Sequence, residues 1–283
     1  MKSWQVALRV SLLLLSLHTA GAGTLAQFRT SFGDIAMELY DQDKPATVQN
    51  FMRYIQSGRY QNQFAHRLVP GFVVQGGGFT ITNRGTANWD ILSVPTYPAI
   101  TNEFAVGRRF SNVYGTIAMA KVGGDTNSAS SQWFINLANN TFLDAADTNN
   151  LFVVFGHVVS GTNVLNILSN FQYYTGTQTS NLVVHQYYQA PFDDLPLLYP
   201  SLADTNLLFV DITLLQVAIK PAAAGGKEIS WNSATGLTNI VEFTTNLPPV
   251  WNTLARTNGT GARMTVLDTT AVPKRFYRVR VTY

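Results

Sequence analysis

Arg67 is the residue from which chemistry can start. It stands in the stretch 64–78, FAHRLVPGFVVQGGG, eight residues before Gln75, with Phe72 and Val73 between them and nearly every neighbour apolar or glycine. A guanidinium stays ionised under any plausible condition, so in such company it reads as a fixed donor rather than a solvated surface charge. A second stretch, 115–136, GTIAMAKVGGDTNSASSQWFIN, supplies the counterpart with Ala120, Lys121, Gln132 and Phe134. Two further stretches, FLD at 142–144 and LFVVFGHVVSG at 151–161, add Phe142, Leu143 and Phe152.

What is missing narrows the chemistry. The chain has no cysteine, which removes thiol nucleophiles, disulfide exchange and thiolate zinc sites. Beyond the N-terminal segment only His66, His157 and His185 remain, none with a second histidine at ligand spacing, so no metal site is expected. There is no G-x-S-x-G elbow and no phosphate-binding loop. The formal net charge is +3, two of the cations are Lys2 and Arg9, and no basic run exists. That gives no footing for nucleic-acid binding.

The stretches together resemble the cyclophilin-type peptidyl-prolyl cis-trans isomerases, in their bacterial form. The first matches the family's F-H-R-x-x-x-x-F-x-x-Q-G-G block at Arg67, Phe72, Gln75, Gly76 and Gly77. The second matches its M-A…S-Q-F-F-I block at Met119, Ala120, Ser131, Gln132, Phe134 and Ile135, and FLD follows in order. The resemblance runs from about Gln27 to Val217. It implies an eight-stranded barrel closed by helices, rotation about X-Pro bonds, proline-containing polypeptides as partners, and no cofactor.

Such a reaction breaks no bond. The barrier to amide rotation is about 18–20 kcal/mol because of resonance. On twisting, the prolyl nitrogen regains a lone pair and becomes an acceptor. A donor aimed at it therefore binds the transition state better than either planar state. The resemblance assigns that donor to Arg67, with Gln75 orienting it and a substrate carbonyl. Phe72, Val73, Phe134 and Leu143 then line the proline pocket, Ala120 and Lys121 offer backbone hydrogen bonds, and Gln132, Phe142 and Phe152 add substrate contacts. Each apolar residue taken alone reads equally as core. The side chain of Lys121 is expected to face solvent, Trp133 to sit in the core, and His66 to be structural, since the reaction needs no net proton transfer.

There are departures from the family pattern. Ala65 stands where Phe usually precedes His-Arg, and Val73 where many members carry Met. Phe142 stands where eukaryotic members often carry Trp, and Phe152 where many carry His and bacterial relatives Tyr. Weak binding of cyclosporin is the expected consequence, with activity retained.

The elements that must position these residues can be read from periodicity. Ile35, Met37 and Leu39 alternate in a hairpin that turns at Ser31–Asp34. Pro45 opens a helix with Val48, Phe51, Met52 and Ile55 on one face, ended by Gly58. Strands are expected at 66–74, 115–120, 131–137, 151–159 and 207–216. A second helix is capped by Thr162 and carries Val164, Leu165, Leu168 and Phe171 on one side. Residues 80–99 and 172–204 read as long loops.

The expected fold is mainly β: a closed eight-stranded barrel capped by two helices, plus a small C-terminal β-sandwich-like domain. The organisation expected is a signal peptide at 1–22, the isomerase-like domain at 23–219, a linker at 220–226 (PAAAGG within it) and the small β module at 227–283. Five strands are expected in the module, at 228–231, 240–245, 251–256, 263–268 and 276–283. By pattern alone it resembles fibronectin-like units of exported bacterial proteins. At the N-terminus Lys2 and Arg9 precede the apolar run 10–17 and an Ala20-Gly21-Ala22 cleavage site. That run is too short to span a bilayer, which needs ~20 residues. An exported monomer, periplasmic or secreted, with no stable membrane insertion is the expectation. Two other readings stay open: a non-catalytic peptide-binding chaperone using the same groove, and a surface-binding protein acting through Trp251, Tyr277 and Tyr283 of the C-terminal module.

Overall fold

The computed structural model describes residues 24–145, 151–177, 180–186, 188–215, 217–223, 225–233, 238–246, 248–260, 262–270 and 274–282. The expected signal segment and Tyr283 lie outside the described residues.

The chain begins with the hairpin of β1 (Leu25–Thr30) and β2 (Gly33–Leu39), in which Ala26, Phe28, Ile35, Met37 and Leu39 face the core. Helix α1 (Pro45–Gln56) follows. Its first turn is capped by a distant carboxylate, Glu103, which accepts from the N–H groups of Ala46 (3.1 Å) and Thr47 (2.8 Å). The fully buried Lys44 donates to the carbonyls of Glu103 (2.9 Å) and Val106 (2.5 Å), tying the same loop down. The helix buries Thr47, Val48, Asn50, Phe51 and Tyr54, so Met52 and Ile55 sit at the margin of the face rather than on it.

The stretch expected as one strand at 66–74 is two. Strands β3 (Arg67–Val69) and β4 (Val73–Gly76) form a tight hairpin across Pro70 and Gly71, whose φ is 69°. A Pro-Gly pair inside an apolar run is a turn signal, and here it outweighs the continuity of the run. Next come β5 (Phe79–Thr82), β6 (Asp90–Ser93), β7 (Thr116–Met119), β8 (Trp133–Asn136) and β9 (Val154–Ser160). Helix α2 (Thr162–Ser169) is capped by Gly161 rather than Thr162. The φ of Gly161 is 94°, and a Cβ there would lie 2.2 Å from the carbonyl oxygen of Asp34.

Strands β10 (Gln172–Tyr173), β11 (Val183–His185) and β12 (Leu195–Leu197) form a small sheet, and β13 (Asp211–Leu215) returns to the first hairpin. The main sheet has eight strands in the order β13-β1-β2-β9-β7-β8-β4-β3. Its two ends are drawn together just before β3 and β13, where Phe64 bridges Phe209, Ala65 N–H donates to Leu208 O (2.9 Å) and Val210 N–H donates to Gln63 O (3.1 Å). The sheet therefore curls around a core that includes Phe28, Phe51, Leu68, Trp133 and Phe155.

The two expected long loops carry structure of their own. The pair β5–β6 and the sheet β10–β12 enclose a second apolar cluster of Phe64, Ile81, Val183, Leu195, Leu197, Leu207 and Phe209. Their strands are two to four residues long, too short for an alternation to register.

The stretch 220–226, expected as a linker, is a hairpin connection. Strand β14 (Ala218–Pro221) pairs with β15 (Lys227–Asn232), and Gly225 N–H donates to Ala222 O (3.0 Å) in the turn. After β16 (Thr238–Thr244), β17 (Asn252–Asn258), β18 (Arg263–Asp268) and β19 (Phe276–Thr282), the C-terminal region holds two three-stranded sheets, β14-β15-β18 and β17-β16-β19. Their shared core is Leu215, Ile229, Trp231, Val241 and Val279, with Leu25 packed against it, so it is continuous with the edge of the eight-stranded sheet.

Candidate active site

The β3–β4 hairpin sets Arg67 directly opposite Gln75, and β8 sets Phe134 opposite Gln75 on the other side. One turn of the sheet thus delivers a cation, an amide and an aromatic ring to one place. A groove of about 200 Å³ opens there, lined by Arg67, Phe72, Val73, Gln75, Ala120, Lys121, Phe134, Leu143 and Phe152. Its apolar floor is continuous with the cluster of Val73, Ala118, Phe134, Leu143 and Val154. Phe134 and Phe152 meet edge to face, with centroids 5.6 Å apart.

All nine lining residues are among those singled out from the sequence; the other two, Gln132 and Phe142, each contact a lining residue. Gln132 Oε1 accepts a hydrogen bond from Gln75 Nε2 at 2.7 Å. Phe142, largely exposed, stacks on Phe72 with centroids 5.7 Å apart. Three roles shift. Gln75 was expected to orient Arg67, but its amide bonds Gln132, while the group beside Arg67 is the carboxylate of Asp194, with Oδ2 3.4 Å from Nε. The side chain of Lys121 does not simply face solvent: its ammonium lies over the Phe152 ring, 4.5 Å from the centroid, and burial lowers its pKa against the opposing pull of Asp125. The N–H of Ala120 is already committed to Gln132 O (2.9 Å), which leaves its carbonyl as the group to meet a peptide.

Trp133 is buried in the core, and it explains the glycines that follow Gln75. A Cβ on Gly76 would fall 2.4 Å from the indole, and Gly77 holds a φ of 77° while passing Ser131 O. His66 is buried behind the site. Desolvation pulls its pKa down to about 4, opposed by a hydrogen bond with Gln132 and reinforced by the charge of Arg67. It is therefore neutral at pH 7 and lacks the imidazolium proton that acid catalysis would use.

The reading from sequence missed a buried amide network that fixes the groove walls. Asn136 Nδ2 donates to Asn112 Oδ1 (3.1 Å) and Thr116 Oγ1 (2.9 Å), and its Oδ1 accepts from Asn140 Nδ2 (2.8 Å). Asn140 also donates to the carbonyl of Phe72 (2.9 Å), and Asn112 to Asp144 Oδ1 (2.7 Å) and the carbonyl of Phe152 (3.3 Å). Phe72, the FLD turn and Phe152 are thereby held to one another. The run of asparagines at 136–140 was the available signal.

Arginine and amides at the mouth of an apolar slot can hold a peptide by its carbonyls and stabilise a group that gains a lone pair. Among the described residues no cluster of His, Asp and Glu could hold a metal ion. No helix there is long and apolar enough to cross a membrane. In the C-terminal sheets, Tyr277 packs on the shared core and donates to Asp268 Oδ2 (2.8 Å), while Trp251 lies under the guanidinium of Arg278 (4.2 Å).

The sequence profile of the family described as cyclophilin type peptidyl-prolyl cis-trans isomerase/CLD matches residues 25–188. A protein of Acinetobacter baylyi named peptidyl-prolyl cis-trans isomerase is 36% identical over 182 residues, covering 64% of this chain and 87% of its own length. Peptidyl-prolyl cis-trans isomerase A of Dickeya dadantii is 40% identical over 153 residues, covering 54% and 75%. Peptidyl-prolyl cis-trans isomerase B of Escherichia coli is 33% identical over 165 residues, covering 57% and 90%.

Proposed function

The chain belongs to the cyclophilin-type peptidyl-prolyl cis-trans isomerase family and is a peptidyl-prolyl isomerase, and from that premise we propose how its groove works and where. The proline ring enters the slot of Phe72, Val73, Phe134 and Leu143, with Phe142 and Phe152 extending its walls. Arg67 donates to the prolyl nitrogen as the amide twists, and Gln75, braced by Gln132, takes a flanking carbonyl. The carbonyl of Ala120 and the backbone of Lys121 receive the residues before proline. The observation that carries this reading is a half-buried guanidinium at the mouth of an apolar slot of about 200 Å³.

The enzyme acts, in this proposal, on proteins outside the cytoplasm and assists their folding. Support comes from the n-region, apolar run and cleavage site within residues 1–22. It acts as a monomer. Its C-terminal β strands from β14 onward form an appended sandwich-like unit. Phe152 and Phe142 make it a weak binder of cyclosporin. The test is turnover of a short X-Pro peptide by wild-type protein and Arg67→Ala. Strong acceleration that collapses in the variant is the expected result. No acceleration by folded wild-type protein would turn the groove into a peptide-holding site.

A further inference from the structure

The segment 172–204 lies outside the eight-stranded sheet, yet it delivers a carboxylate to the groove. Asp194 Oδ2 lies 3.4 Å from Arg67 Nε, and its side chain is the less exposed of the two, at 15% against 33%. Asp194 is itself held from three sides. Its carbonyl accepts from the N–H of Leu68, the residue after Arg67, at 2.8 Å. Its Oδ1 accepts from Gln186 Nε2 at 3.3 Å. Its chain neighbour Leu195 is buried in β12, paired with His185 of β11. Tyr173 on β10 stands in the same field: burial raises its hydroxyl pKa first, the charge of Asp194 raises it further, and Arg67 opposes. The family profile ends at residue 188, so Asp194 lies beyond the matched stretch.

A guanidinium is a rigid planar fork. Fixing its Nε edge fixes the plane, and with it the direction in which the two terminal nitrogens point. A partly exposed ion pair adds little to stability. Direction is what a donor to a twisting amide needs, because the acceptor lone pair exists only near the transition state.

We propose that Asp194 is the positioning residue for Arg67, holding the guanidinium by its Nε edge so that the terminal nitrogens face the prolyl nitrogen in the slot. This rests on Arg67 being the donor to that nitrogen. It gives the segment 172–204 a function: its small sheet is the mount for one carboxylate.

The experiment measures kcat and KM on an X-Pro peptide for full-length wild-type, Asp194→Ala, Asp194→Leu, Asp194→Asn, Arg67→Ala and the double variant Arg67→Ala/Asp194→Ala, with the 15N resonance of Arg67 Nε as a second readout. Loss of the carboxylate in Asp194→Ala and Asp194→Leu should lower kcat about tenfold while KM stays within about twofold. Asp194→Asn, which keeps an oxygen at the same place, should recover most of the rate. The Arg67 Nε resonance should move toward that of a free arginine in the Ala and Leu variants, and Asp194→Ala should have no further effect once Arg67 is gone. Leu fills the volume, so it decides the matter where Ala does not fold. Wild-type kcat and an unmoved Nε resonance in the Leu variant, with Arg67→Ala inactive, would overturn the positioning role and leave the donor role standing. Full activity in Arg67→Ala would bring down the donor role itself.

Discussion

Arg67 and Gln75 are eight residues apart in the chain and directly opposite one another in the sheet, paired across the β3–β4 hairpin. The relationship exists because Gly71 takes a positive φ after Pro70, which reverses the chain between Val69 and Val73. It places a cation and an amide on one rim of the slot while Phe72 and Val73, near the turn, form its wall. Groove chemistry and hairpin geometry are one feature of the sequence.

Arg67→Lys separates charge from direction. Lysine keeps the positive charge but is a compact ammonium on a flexible stem, unable to present two nitrogens from a plane held at Nε. Loss of a single preorganised donor costs about 10²–10³ in rate in comparable electrostatic sites. We expect Arg67→Lys to fall within about tenfold of Arg67→Ala in kcat/KM on an X-Pro peptide. A lysine variant near wild-type rate would mean that charge alone suffices.

Asn136→Leu tests the amide network. Asn136 is fully buried and touches Asn112, Thr116 and Asn140. Leucine fills the space but leaves several of these groups without their partner, and each orphaned buried polar group costs about 1–3 kcal/mol. Urea unfolding should show a loss of about 2–4 kcal/mol. Because Asn140 and Asn112 hold the Phe72 and Phe152 carbonyls, KM should rise more than kcat falls. A stability loss with unchanged KM would show that the walls keep their places without the network.

Much of the site was legible in the sequence because it lies in short contiguous blocks: the Arg67–Gln75 stretch and the Ala120–Phe134 stretch each fold into neighbouring strands of one sheet. Strong alternation in β2 and the i, i+3, i+4 pattern of α1 were legible for the same local reason. What stayed hidden was long-range. Asp194 reaches Arg67 from far along the chain, and Glu103 caps α1 from a distant loop. Neither carboxylate has a local pattern. The two- to four-residue strands of β5, β6 and β10–β12 offer too few positions for periodicity, and nothing local marks Asn136, inside the expected strand 131–137, as the centre of a buried network.

Asp268→Asn addresses the C-terminal sheets. The carboxylate is buried and accepts from Thr270 N–H (3.0 Å), Tyr277 Oη (2.8 Å) and Arg275. Burial alone would raise its pKa, but these bonds outweigh it and bring it down to about 2. Its stabilising effect is therefore complete at neutral pH and is lost as pH falls from the ordinary carboxylate range through about 2. Asparagine leaves the nearly buried Arg275 without its charge partner, a change that costs about 3–5 kcal/mol in comparable pairs. Thermal unfolding of the variant should be lower at pH 7 and nearly independent of pH between about 4 and 2 at this site. Equal stability of wild type and variant at pH 7 would mean that the Arg275 contact contributes nothing.

His66 sets the acid limit without setting the rate. Burial lowers its pKa from the usual 6.5 to about 4, so the folded protein holds it neutral where the unfolded chain would protonate it. Between those values the unfolded state binds the extra proton, and stability must fall as pH drops from about 6.5 toward 4. A shift of this size corresponds to roughly 3 kcal/mol at the acid end. His66→Asn, which cannot titrate, should flatten that part of the stability profile measured by urea unfolding at several pH values. Turnover is a separate matter: His66 is already neutral near pH 7 and the reaction moves no proton, so kcat/KM of the wild type should be level from about pH 6 to 8. A bell-shaped or sigmoidal rate profile centred in that range would reinstate the histidine as a participant. A pH profile of stability identical in wild type and His66→Asn would show that the imidazole titrates alike in the folded and the unfolded chain despite its burial.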